Sequence, residues 1–457
     1  MAAPAAKRSP SPSADPRNLL DDLVKRACKA GADAADAVLF DSASLSLSQR
    51  LGNPEKLERE ESRDLGLRVF VGKRQAIVST TDISAIMLNE LVTRAVAMAR
   101  SVPEDPHCGL ADPADLVRDY PKTLDICDAV EPSTDVLRER ARSAEDAARS
   151  VKGITNSEGA DAGWGRGAVT MVASNGFTGS YESSHHGLSV SVIAGEGTAM
   201  ERDYDYVTAV HGADLEDGAV VGKRAGERAV RRLTPRKAAT VKVPVIYDPR
   251  VSSSLVGHLA GAINGAGIAR GTSFLKDKLS QRIFGADVSI IDDPHRTRGL
   301  RSKPFDGEGL ANQRRALIDQ GVLTGWVLDL RSARQLGLKS TGHASRGTSS
   351  PPSPSLTNLY MAAGKLSPKE MIGGVLNGFY ITELIGMGVN GITGDYSRGA
   401  GGYWIEHGEL TYPVSEVTIA GNLTDMFLNL TPASDLEFRH GTDAPTIRVD
   451  GMTVAGV

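Results

Sequence analysis

The chain has 457 residues, 40% hydrophobic and 24% charged, which bounds it as a globular protein of two or three domains with a sizeable core. Its 52 Lys and Arg against 56 Asp and Glu leave a formal charge of -4. That balance argues against nucleic acid or an anionic membrane as main partner, since either calls for a basic face. Cys28, Cys108 and Cys127 give no disulfide framework and fit a reducing compartment, so a cytoplasmic location is expected.

Met1 to Ala14 is rich in Ala, Pro and Ser without an apolar core segment, and reads as a loose tail rather than a signal peptide. A helix follows, with Asp15 as cap, Pro16 at its first position and Gly31 to close it. Leu19, Leu20, Leu23, Val24 and Ala27 share one of its faces. Strands are expected at Ala37 to Phe40, Ser44 to Gln49, Gly66 to Val71 and Gln75 to Ser79. Leu88, Leu91, Val92, Ala95, Val96 and Ala99 mark a second helix. A connector from Val102 to Pro132 leads to a third, Thr134 to Val151. The pattern then switches to period two: Ala168 to Ala173, Gly179 to Ser183, Leu188 to Ala194 and Thr198 to Val207 read as a meander that turns at Asn175-Gly176. A helix from about Asp214 to Leu233 carries the densest basic run, Arg224 to Lys237, read as a solvated face. Thr234 to Lys237 is the expected boundary, giving domains 15–235 and 236–457.

The second half opens with a strand, Val241 to Tyr247, and Asp248-Pro249 starts a helix to about Ile263. Ser289 to Ile291, Arg315 to Asp319 and Val322 to Asp329 are expected strands, and Ser349 to Pro354 a loop because its prolines cannot donate to a ladder. The capping box Ser367-Pro368-Lys369-Glu370 begins a helix to about Asn377. Tyr380 to Ile385, Gly402 to His407, Glu409 to Val414 and Glu416 to Asn422 alternate apolar residues with many glycines. Met371 to Val389, the most apolar stretch, is interrupted by Asn377, Glu383 and glycines and falls short of a membrane span. The fold class is α+β. An N-terminal α/β domain of antiparallel sheet and amphipathic helices precedes a C-terminal curved antiparallel sheet or β-barrel-like domain.

The helix after Asp248 is the natural place for a metal, because it carries His258. A zinc peptidase needs two histidines and a glutamate on such a helix. Ser254 and Ser253 lie four and five residues before His258, no Glu occurs between Val251 and Ala269, and the C-terminal half has no Cys. No conventional zinc site can be assembled from these residues, and no catalytic residue is assigned. His185 and His186 are adjacent on a strand and face opposite ways. Ser273-Phe274-Leu275-Lys276 matches the S-x-x-K of some acyl-transfer enzymes. Gly386 to Gly391 spells G-x-G-x-x-G, but no helix signal follows, so a bend permitting close backbone approach is expected rather than a nucleotide site.

Several segments resemble the TldD/PmbA family, in particular its PmbA (TldE) branch. They include Glu60 to Val69, Ala173 to Phe177, Ser189 to Ala194, Gly261 to Gly265 with Gly271 to Leu275, Gly391 to Ala400 and Tyr403 to Gly408. In the TldD branch an H-E-x-x-x-H helix and a C-terminal cysteine are understood to form the metal site. The resemblance places those histidines on Ser253 and His258, the glutamate on Ser254, and the cysteine in Asp435 to Ala444, which has none. It implies a subunit without a cofactor of its own, paired with a zinc-bearing TldD-type chain that acts on small peptides and unfolded segments. Extended peptide would be held by strand addition, with Asn358, Gly394, Asp395 and Ser397 as groove residues. A homodimer, an autonomous hydrolase using Ser273 and Lys276, and a peptide-binding scaffold remain open.

Overall fold

The computed structural model describes residues 15–456, so the expected tail, Met1 to Ala14, lies outside the described residues. The N-terminal half comprises α1 (Pro16–Lys29), β1 (Ala34–Arg50), β2 (Asn53–Val71), β3 (Arg74–Thr80), α2 (Ala85–Ser101), α3 (Thr134–Arg149), β4 (Ile154–Ala173), β5 (Thr178–Ala194), β6 (Glu201–Ala209) and α4 (Gly218–Arg231). Its strands form one antiparallel sheet in the order β3-β2-β1-β4-β5-β6. The long strands carry two cores end to end. Leu20, Leu23 and Val24 of α1 and Leu88, Leu91 and Val92 of α2 bury Leu39, Leu65 and Leu67. Leu137 of α3 and Val221 of α4 bury Leu45, Leu47, Trp164 and Val190.

That arrangement corrects the expected strands. Ala37 to Phe40 and Ser44 to Gln49 belong to one 17-residue strand, because Asp41, Ser42 and Ala43 stay paired with Arg63, Ser62 and Glu61 between the two cores. β2 and β4 likewise begin earlier than expected. Asn53 to Arg63 is exposed throughout, so no buried face imposes a period on it. The basic run is corrected too. Arg224 and Arg228 converge on Asp205, Arg224 also pairs with Glu216, and Arg232 bonds Glu383 in the C-terminal half. Those guanidinium groups clamp α4 onto the sheet rather than facing water.

The C-terminal half contains β7 (Val241–Tyr247), α5 (Pro249–Ala262), α6 (Gly265–Ala269), β8 (Ile290–Asp292), β9 (Arg315–Asp319), β10 (Val322–Leu323) and α7 (Leu330–Leu336). It continues with β11 (Ala344–Ser345), β12 (Ser353–Pro354), β13 (Leu359–Met361), α8 (Pro368–Gly373), β14 (Asn377–Ile385), β15 (Asp395–Glu406) and β16 (Glu409–Asn422). α9 (Leu423–Leu428), β17 (Leu430–Pro432), β18 (Thr442–Asp443) and β19 (Ile447–Ala455) complete it. The order β16-β15-β14-β7-β19 closes through β16 and β19 into a five-stranded barrel, with β17 added on β19. A smaller sheet runs β10-β9-β8-β13-β18. The barrel is antiparallel except where β7 meets β14.

Three expectations change here. Val322 to Asp329 is a strand only at Val322 and Leu323. Asp329 instead starts α7 by a capping box with Ser332, a helix the apolar run had masked. Ser353 and Pro354 leave their loop to pair with Ser345 and Ala344. Glu409 to Asn422 is one strand with register shifts, not two. Among the described residues no helix is long and apolar enough to cross a membrane.

Candidate functional site

α5 begins as the sequence requires. The Asp248 side chain accepts from Arg250 N at 3.0 Å, Pro249 occupies the first turn, and Leu255, Val256 and Leu259 bury one face in the barrel core. His258 therefore points to the other side, where a cavity of about 340 Å³ opens. Its wall includes His258, Thr272, Phe274, Met387, Arg398 and Leu423. Backbone bonds hold the lining segments together: Phe274 N donates to Gly391 O at 3.0 Å, and Leu423 N to Gly394 O at 2.7 Å. The Gly386 to Gly391 bend does permit close approach. A Cβ on Gly388 would lie 1.9 Å from Ser397 O, and Gly386 has φ +77.

The electrostatics of this cavity are those of a cation without a counter-ion. Arg398, half-buried, makes no ion pair among the described residues, its polar neighbour on the strand being the Tyr396 hydroxyl, and no Asp or Glu lines the wall. Arg398 Nε, His258 Nε2 and Tyr396 Oη are buried without a partner. The His258 ring stands edge-on to Tyr396 at 5.8 Å. Burial, and then the Arg398 charge, hold the His258 imidazole below its ordinary pKa. Burial pushes the Tyr396 phenol up.

These groups do not fit a zinc ion. Ser253 is half-buried, and Ser254 donates to Val251 O at 2.5 Å, bracing its own helix. His258 is a single imidazole beside a guanidinium, which repels a dication. Among the described residues no three His, Cys, Asp or Glu side chains gather as a metal ion requires.

The other sequence candidates scatter. Asn358 is buried and structural: its Nδ2 donates to Asp293 O and Ser302 Oγ at 2.7 Å, and its Oδ1 accepts from Arg301 N. It lines no groove. Gly394 and Asp395 support the start of α9. Asp395 accepts from Thr393 Oγ1 at 2.6 Å and from Asn422 Nδ2 at 3.2 Å, while Asn422 caps Thr424 N. Ser397 is exposed one residue from Arg398, and its backbone N donates to Gly388 O. Ser273 is buried, donates to Ala262 O at 2.6 Å and accepts from Leu275 N, while Lys276 is exposed. The structure does not bring that pair together. His185 and His186 do face opposite ways: His185 is exposed, and buried His186 reaches Asp128 at 3.1 Å.

A second charged cluster, where the halves meet, was missed in the sequence. Arg68 of β2 and Arg346 of the C-terminal half both bond Asp36 of β1. Burial pushes the Asp36 carboxyl up, but Arg346 and Arg68 outweigh it and hold the group below its ordinary value. Near Arg68, burial and Asp306 push Glu308 up to about 8. The space lined by Arg68 and Glu308 is only about 10 Å³.

Family models described as PmbA/TldA metallopeptidase domain 1, central domain and C-terminal domain match residues 35–99, 127–233 and 240–456. Over 445 residues the chain is 39% identical to Metalloprotease PmbA of Escherichia coli O157:H7, covering 96% of this chain and 97% of that protein. A Metalloprotease PmbA homolog of Haemophilus influenzae is 37% identical, with 96% of each chain covered. A crystal structure from Bacteroides thetaiotaomicron, 28% identical, superposes with TM-score 0.89 over 96% of this chain and 99% of that one. TldE from Thermococcus kodakarensis, at 21% identity and TM-score 0.85 over 96% of this chain and all of that one (100%), shares the fold. With all three family domains in order and close relatives along nearly its whole length, the chain belongs to the PmbA/TldD metallopeptidase family.

Proposed function

We propose that this chain is the PmbA (TldE)-type subunit of a cytoplasmic TldD/TldE-type peptidase complex. A TldD-type partner supplies zinc and the general base, and this chain contributes substrate contacts and an assembly surface. The observation that carries the reading is the donor set on α5. His258 faces Arg398, and Ser253 and Ser254 stand where the resemblance places a second ligand and the base. Extended peptide needs free main-chain groups, which a closed barrel leaves only where one strand outruns its neighbour. β14 does so: it pairs with β7 only through Ile381 but continues against β15 to Ile385. The purified chain, assayed for bound zinc and for cleavage of an unfolded peptide alone and with a TldD-type partner, tests this. Chelator-sensitive cleavage is expected only in the mixture. Cleavage by this chain alone, abolished by Ser273→Ala or not, overturns it.

A further inference from the structure

We propose that the cavity between α5 and the β14–β15 loop receives the C-terminal carboxylate of a peptide ending in an apolar residue, with Arg398 as its counter-charge. The inference rests on the reading that this chain handles peptides. Arg398 is half-buried and its Nε is wholly shielded without a partner, so what the site lacks is a negative charge. Arg398 has no such partner among the described residues, and no carboxylate on the wall repels one. Tyr396 and Arg398 are two apart on β15 and share a face of the strand. Of the polar side chains on the wall, His258 Nε2 and Arg398 Nε are buried without a hydrogen-bond partner.

The shape of the acid follows from the walls. The planar fork of a guanidinium matches a carboxylate by two parallel hydrogen bonds. Phe274, Met387, Val389 and Leu423 make the rest of the wall apolar, and about 340 Å³ accommodates a leucine- or phenylalanine-sized group beside the acid carbon. Inorganic phosphate would use the cation and leave those walls bare. At the β14–β15 loop Ile385, Met387 and Ile392 are 60%, 86% and 63% exposed, an apolar rim that the preceding residues of a peptide would cover. A small free acid would leave that rim exposed.

Fluorescence anisotropy with N-terminally labelled short peptides ending in Leu, as free acid and as C-terminal amide, tests this on the full chain and on its complex with a TldD-type partner. The free acid is expected to bind about 10- to 100-fold more tightly, the span of one charge-assisted pair. Arg398→Met should bring the acid down to the amide, and Arg398→Lys should restore part of the difference. The acid–amide comparison on the unaltered chain stands even if a variant fails to fold. Equal binding of acid and amide overturns the pocket but leaves peptide handling intact. No binding of either peptide, to chain or complex, overturns both. 4-Methylpentanoate competing as strongly as the peptide acid assigns the cavity to free acids and overturns the peptide end.

Discussion

Two arginines, the buried Arg346 and the half-buried Arg398, meet different circumstances in this molecule. Arg346 lies where the two halves meet and gives its charge to Asp36 at 2.7 Å, in a cluster that also holds Arg68. The neighbouring space, about 10 Å³, is scarcely enough for one water. Arg398 faces about 340 Å³ and pairs with nothing among the described residues. A buried charge answered from within is architecture, because removing its partner strands it. One left facing an open cavity has room for a counter-charge brought by a ligand. Both arginines keep buried nitrogens without a partner, so an orphaned donor alone does not tell the sites apart; the location of the counter-charge does.

Asp36→Ala tests the first half of that contrast with the largest expected effect. It leaves two buried guanidinium groups unanswered, and a loss of about 3–5 kcal/mol in denaturant unfolding is expected. Arg398→Met removes a charge that already lacks a partner, and should cost under about 1 kcal/mol or stabilise. If the two variants lose the same stability, internal pairing is not what separates the sites.

Glu308 sharpens the contrast through pH. Its folded pKa is raised, so its contribution to stability is complete below the ordinary carboxylate range and is lost as pH rises toward about 8. Relative to Glu308→Gln, the unaltered chain should lose stability across that window, at no more than about 1.4 kcal/mol per pH unit for one proton. Unfolding curves at several pH values that run parallel for the two proteins would show that Glu308 ionises freely. At the exposed edge of β2 the Asp41–Arg63 pair is the opposite extreme. Arg63→Ala should move stability by at most about 0.5 kcal/mol.

What the sequence disclosed depended on whether the physics was local. The start of α5 was legible because Asp248 and Pro249 cap it within one turn, and the barrel strands because one face of each is buried. Asn53 to Arg63 was illegible as strand, since a sheet-edge segment exposed on both faces has no period. α7 was hidden by the apolar run before it, although Asp329 and Ser332 spelled its cap. At the cavity, His258 and the glycine bend could be picked out. Arg398, Phe274 and Leu423 could not, because only barrel closure brings those segments together. One signal was available: Arg398 repeats the parity of Tyr396, a buried position in a strand with an apolar inner face. Asn358 shows the other side of this, since its bonds to Asp293 O and Ser302 Oγ at 2.7 Å join loops that are distant in sequence.

The smallest effect is also the most local. His258 should titrate below the ordinary imidazole value of about 6.5, because burial and then Arg398 disfavour its charged form. Its contribution to stability is therefore present above that value and is lost as pH falls through the lowered folded pKa. Arg398→Met removes the second cause and leaves the first, so the imidazole should move up only part of the way, as read from its ring-proton NMR shift. A full return would mean that burial counts for little and the cavity is wet. No movement would place the guanidinium too far away to act with His258 on a shared anion. A peptide free acid bound to the unaltered chain should move His258 upward as well, since an anion beside Arg398 offsets the charge that opposes protonation, and the amide should leave it in place.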